Sequence, residues 1–306
     1  MSNEKMSDYK LTVRFEDVPV TFVNAIRRIA LSNIPTVVLS DIEILDNTTQ
    51  LPHEMLKHRM EMLPVAVKPS DTSVIRDGKV EVKFMKDPNP RVATTNDFVG
   101  KEFLMVDRDL GTPMLFARLR KDESLHIKAK LAISHRQSQV CVSTTKWVID
   151  PELLEANKKV WLEAEKDPHV FDTTEFQKSY SRDEKGRPNK FELYLESVGV
   201  LTAKEILKLS MQILQQKVNE YMTEAQNNIQ RSGDMFTISL EQGGHTIGGL
   251  MQEVMYQDLN VMYASYDIPH PLKKTMVLKF QTAKTPESIL KTASDTINEY
   301  ISNVKV

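Results

Sequence analysis

The chain has 306 residues, a formal charge of −2 and a pI near 6.4. It is long enough for one large core or two to three modules, and it carries no global field that would draw in nucleic acid or an anionic membrane. A single cysteine, Cys141, excludes an intrachain disulfide and a cysteine-based zinc or iron–sulfur cluster. No run approaches about 18 uninterrupted apolar residues, and "MSNEKMSDYK" lacks the apolar region of a signal peptide. The expectation is a soluble intracellular protein in a reducing compartment.

Residues 9–15, "YKLTVRF", alternate apolar and polar as a half-buried strand should. In "VTFVNAIRRIALSNIP", Val23, Ile26, Ile29 and Ala30 recur at helical spacing until Pro35 stops the pattern. A β-rich run at 36–45 and a short helix within 52–65 follow. From 70 to 120 the texture turns to short strands between Pro-, Asp- and Gly-rich turns, with another strand at 124–134. The charged stretch 150–190 predicts an exposed helix and then a loop.

Residues 191–197, "FELYLES", alternate again. Thr202 and Glu205 form a capping-box signature opening a helix to about 225, with Ile206, Leu209, Ile213, Leu214, Val218 and Tyr221 on its apolar stripe. The last part predicts a strand at 235–241, a helix from about 247, strands near 260–268 and 275–282, and a closing helix begun by Thr285-Pro286.

The candidates for chemistry are few. Four of the ten glycines fall between Gly243 and Gly249, after a strand and before a helix, which is where nucleotide loops occur. A P-loop needs Lys-Ser/Thr after its last glycine, yet Leu250-Met251 follow here. The G-x-G-x-x-G spacing of a dinucleotide fold is also absent. The plainer reading makes Thr246 the helix cap and has Gly248 and Gly249 admit a close neighbour. The seven histidines lie in no metal-ligand spacing, and Cys141 sits in a predicted strand as a small hydrophobe. Arg27 and Arg28 leave an apolar helix side by side, and their guanidinium forks suit carboxylate partners, with two solvated arginines as the equal alternative. The 15 methionines suit adaptable packing or partner surfaces.

The two ends of the chain also echo each other. At a constant offset Val23, Ile26, Ala30, Leu31, Val37 and Leu39 fall on Ile247, Leu250, Val254, Met255, Val261 and Tyr263. Each half ends in a long amphipathic helix, at 203–225 and 286–302. The pattern predicts two strand–helix–strand units able to pack as a pseudo-dimer.

"NAIRRIALSNIPTVVLSDIEILDNTTQLPHEMLKHRMEMLPV" (24–65) closely resembles the start of the alpha-like assembly subunits of DNA-directed RNA polymerases, namely the third-largest subunit of eukaryotic polymerase II and the archaeal D subunit. "LHIKAKLAISHRQSQVCVSTTKW" (125–147) and "FELYLESVGVLTAKEILKLSMQILQQKV" (191–218) fit in the same order. "HTIGGLMQEVMYQDLNVMYASYDIPHPL" (245–272) and "LKFQT" (278–282) resemble its small partner, the eleventh subunit or archaeal L.

The resemblance implies an α+β fold: two fused alpha-like dimerisation modules forming an intramolecular pseudo-dimer, with a mainly β inserted domain. The first module is expected at 1–45 and 190–228, the insert at 46–189 and the second module at 229–306. It implies a non-catalytic platform subunit. Asn24, Arg27, Arg28, Ile34 and Pro35 are expected to meet the second-largest, β-like subunit. The intramolecular interface is expected to hold Ile26, Ile29, Ile206, Leu209, Ile213, Gly248, Gly249, Leu250 and Val254, with the two glycines where the halves come close. The largest subunit and small zinc-binding subunits are further expected partners. No cofactor, no membrane, no small-molecule substrate and little or no direct nucleic-acid contact are expected. Joining both modules gives each the other at high effective concentration. Such a fusion is expected of a large DNA virus, which implies virion and host cytoplasm as locations; otherwise the nucleus is expected.

Two features depart from the family. Its inserted domain often carries a cysteine cluster for zinc or an iron–sulfur centre, which this chain cannot form. The family's Gly-x-x-x-x-His-Ala-Lys-Trp ending is reduced to Thr-Lys-Trp at 145–147. The competing functions are a nucleotide-binding enzyme using the 243–249 loop and a homodimeric adaptor outside transcription.

Overall fold

The computed structural model describes residues 8–107, 109–135, 140–241, 243–258 and 260–304. The chain opens with β1 (Lys10–Glu16), α1 (Val20–Ser32), β2 (Thr36–Asn47), α2 (His53–Glu61) and α3 (Thr72–Asp77). Strands β3 (Lys79–Phe84), β4 (Arg91–Thr94), β5 (Phe98–Val99), β6 (Leu115–Leu119), β7 (Leu125–Ser134) and β8 (Cys141–Trp147) follow. Next come α4 (Pro151–Glu163), the single turn α5 (Pro168–Val170), β9 (Lys190–Ser197) and α6 (Ala203–Asn227). The chain closes with β10 (Ile229–Ser232), β11 (Met235–Leu240), α7 (Gly244–Gln257), β12 (Val261–Asp267), β13 (Met276–Thr282) and α8 (Pro286–Asn303).

The fold divides into two compact units. One takes residues up to Lys10, Ala30–Val142 and Glu196–Ile206. Its main sheet runs β2-β7-β3-β5, antiparallel throughout, with Leu39 opposite Leu131 and Val82 opposite Ile127. From Leu125 to Leu131 of β7 every second side chain (Leu125, Ile127, Ala129, Leu131) is buried, as the pleat requires. These residues form one core with Leu56 and Met60 of α2 and with Ala117 and Leu119 of β6. A Cβ on Gly78 would stand 2.5 Å from Leu131 Cδ1, so glycine permits the close passage between α3 and β3.

The other unit takes Leu11–Ile29, Ser143–Leu195 and Leu207–Val306. It holds the β1-β9-β8 sheet and the β10-β11-β13-β12 sheet. Leu11, Val13 and Phe15 alternate inward on β1 and Phe191, Leu193 and Leu195 on β9, the expected period of two. In the second sheet Phe236 pairs with Phe280 and Ile238 with Leu278, and the Phe236 and Phe280 rings stack at 5.6 Å.

These seams differ from the boundaries the sequence suggests. β2 bonds to β7 from Thr36 to Asn47, so 36–45 clusters with the stretch that follows it, while 143–195 clusters with the C-terminal elements. Residues 46–189 hold β3–β8, but also α2–α5. The echo between the chain ends is visible in element order: β1-α1-β2 recurs as β11-α7-β12.

Candidate subunit interface

Helix α1 buries Phe22, Val23, Ala25, Ile26, Ile29 and Ala30 and turns Asn24, Arg27 and Arg28 outward. Arg27 donates from Nε and Nη2 to Asn24 Oδ1, at 3.0 and 2.9 Å, the i,i+3 geometry of one helical face. Arg28 Nε donates to Thr246 Oγ1 of α7 at 2.9 Å. Of the residues expected to meet the β-like subunit, Asn24, Arg27 and Pro35 are half-buried, Arg28 is exposed and Ile34 is fully buried. Ile34 therefore presents no side chain to another subunit, because its apolar surface is already spent inside this chain.

Thr246 is not the helix cap. Helix α7 begins at Gly244 with Gly243 as N-cap, at φ 97° and with no side-chain bond. Glycine alone enters that region without strain, so the helix starts earlier than expected and leaves the Thr246 hydroxyl in its first turn to accept from Arg28. Gly248 is buried, and a Cβ there would lie 2.5 Å from the Tyr266 ring. At Gly249 the same ring would be 3.6 Å away. The nearest neighbour of a side chain placed at either glycine is thus Tyr266 of β12, in their own strand–helix–strand unit.

Ile26, Ile29, Ile206, Leu250 and Val254 are buried, whereas Leu209 and Ile213 are only half-buried. The inward stripe of α6 runs through Leu207, Ser210, Met211, Leu214, Val218 and Tyr221, which puts Leu209 and Ile213 on its shoulder. Further contacts tie early to late segments. Phe22 of α1 meets Tyr300 of α8 with ring centroids 5.4 Å apart. Gln215 of α6 donates to Asn298 at 3.3 Å, and Arg187 approaches Glu253 of α7 at 3.6 Å.

Beside α1 lies a groove of about 860 Å³. On its wall Glu192 of β9 accepts from Arg14 of β1 at 2.8 Å and Lys146 of β8 at 2.8 Å. The Lys146 and Arg14 bonds together hold the Glu192 carboxyl below the ordinary carboxylate range, against the opposing effect of burial. Trp147, also lining the groove, leans on Tyr180 with centroids 4.9 Å apart. Sequence reasoning missed this site. Its residues lie far apart in the chain, and only the strand order β1-β9-β8 brings them together.

The other candidates are quieter. The Cys141 thiol donates to the Ala30 carbonyl at 3.6 Å, and burial pushes its pKa up to about 11, the wrong direction for a nucleophile. His126 bonds Glu81 at 2.6 Å across β7 and β3, an ordinary cross-strand pair. Among the described residues no three His, Cys, Asp or Glu side chains are grouped to hold a metal ion. No helix of the described residues is long and apolar enough to cross a membrane.

Residues 12–218 match the RNA polymerase Rpb3/Rpb11 dimerisation domain, and residues 235–306 match a second family of the same description. The chain belongs to the Rpb3/Rpb11 dimerisation-domain family. It is 21% identical over 210 residues to DNA-directed RNA polymerase subunit Rpo3 of Methanocaldococcus jannaschii, covering 67% of this chain and 85% of that protein. It is 24% identical over 255 residues to RNA polymerase II subunit RPB3 of Schizosaccharomyces pombe, covering 69% of this chain and 80% of that one. With subunit RPB11 of the same yeast it shares 26% identity over 78 residues, which is 25% of this chain and 63% of RPB11.

Proposed function

We propose that this chain is a non-catalytic platform subunit of a multisubunit DNA-directed RNA polymerase, with an Rpb3-like and an Rpb11-like module fused in one polypeptide. In this reading 1–45 with 190–228 and 229–306 are the two dimerisation modules, paired intramolecularly, and 46–189 is the insert. The observation that carries it is that the two family-matched segments touch. Arg28–Thr246, Phe22–Tyr300 and Gln215–Asn298 all join the 12–218 match to the 235–306 match.

The exposed side of α1, with Asn24, Arg27 and Arg28, is the docking face for the β-like subunit, and Pro35 fixes the turn beyond it. The insert meets small zinc-binding subunits, and the largest subunit joins through the assembled platform. A formal charge of −2 suits a scaffold that does not itself grip DNA. The fusion fits a large DNA virus as the source, with the virion and host cytoplasm as its locations.

Affinity purification of the tagged chain from expressing cells tests this. The two largest polymerase subunits should co-purify, and Arg27→Ala with Arg28→Ala should reduce the β-like one while the chain stays folded. Absence of large subunits would end the reading. Their unchanged recovery with the double variant would remove the arginines from the docking face.

A further inference from the structure

The groove beside α1 has a chemistry that the assembly reading does not yet use. Its charged lining residues are Arg14, Lys146 and Glu192. Within this lining two cations share one carboxylate, a formal surplus of one positive charge. That charge is accessible: the Arg14 and Lys146 side chains are 71% and 74% exposed, while Glu192 is 12% exposed. Both cations are therefore fixed by a nearly buried anion but keep their outer donors toward solvent. Around them, large apolar side chains stand in the open. Val20 is 46%, Trp147 44% and Phe176 39% exposed, and all three line the same groove. Isolated exposed apolar residues are ordinary, but several gathered round a concave surface mark a binding site.

Asn24, which holds Arg27, also lines the groove, so the groove continues the α1 face assigned to docking. We infer that it seats a peptide segment of another polymerase subunit in which an aliphatic or aromatic side chain stands beside a carboxylate. The apolar side chain enters between Trp147, Phe176 and Val20. The carboxylate accepts from the outer donors of Arg14 and Lys146, a charge-assisted pairing that the single surplus positive charge matches. A basic segment would meet that surplus charge unfavourably. This inference rests on the reading of the chain as a polymerase subunit.

The test uses the full chain in its purified polymerase assembly, with Phe176→p-benzoylphenylalanine as photo-crosslinker and Val160→p-benzoylphenylalanine on the outer face of α4 as control. After irradiation, digestion and mass spectrometry, the crosslink from position 176 should fall on another subunit, within three residues of an Asp or Glu. Its yield should drop about tenfold between about 50 mM and about 500 mM salt, and should drop likewise in the Lys146→Glu chain. A salt response alone suffices if that variant does not fold. A crosslink to a second copy of this chain, to nucleic acid or to a basic segment overturns the inference. So does the absence of any crosslink from an assembly that contains the large subunits, and that result leaves the subunit reading intact. A preparation with no large subunits sinks the subunit reading itself, and this inference with it.

Discussion

The Nε of Arg28 donates a 2.9 Å hydrogen bond to the Oγ1 of Thr246, 218 residues further along the chain. It joins the outward face of α1 to the first turn of α7, the equivalent helix of the second strand–helix–strand unit. A double-mutant cycle with Arg28→Lys and Thr246→Val, followed by urea unfolding of the lone chain, should give a coupling of about 0.5–1 kcal/mol. Strict additivity would mean that the bond is not held in solution.

The two glycines of α7 should behave oppositely. Gly248→Ala drives a Cβ to 2.5 Å from the Tyr266 ring and should cost about 1–3 kcal/mol. At Gly249 the nearest ring atom is 3.6 Å away, so Gly249→Ala should be neutral or stabilise by up to about 1 kcal/mol through helix propensity. Adding Tyr266→Leu should recover part of the Gly248→Ala loss in thermal unfolding. Equal effects at both positions would contradict the packing described.

Much of this was legible in the residues, and the failures have physical causes. Strands β1 and β9 alternate cleanly because one face is buried and the other is not. The Thr202 capping box is present as read: Thr202 N–H donates to Glu205 at 2.8 Å and Glu205 N–H to the Thr202 hydroxyl at 3.2 Å. Replacing Thr202 with Ala should therefore cost about 1 kcal/mol in chemical denaturation, and no measurable loss would remove the cap from the account. The start of α7 was misplaced because a serine or threonine is the usual cap, whereas Gly243 reaches its φ of 97° unaided. The 150–190 stretch reads as exposed helix and loop, yet Phe171 is only 1% exposed and its ring meets Trp161 at 5.9 Å. Its many charges masked one buried aromatic. The groove was invisible because no local pattern links Arg14, Lys146 and Glu192.

Glu192 sets a pH dependence. Its folded pKa is depressed, mainly through Lys146 and then Arg14. The stability it confers is therefore complete above the unfolded value of about 4.3 and is lost as pH falls through the folded value. Glu192→Gln should flatten the decline of stability below about pH 4.3 in denaturant titrations at stepped pH. An unchanged slope would show that the pair is not held.

In the proposed function one polypeptide supplies both dimerisation modules to a polymerase. Native mass spectrometry of the intact assembly containing this chain tests it most directly. A single copy of the chain should appear together with the two largest subunits, and no separate small subunit carrying a second dimerisation domain. Two copies of the chain, an additional Rpb11-type subunit paired with it, or an assembly without the large subunits would contradict it.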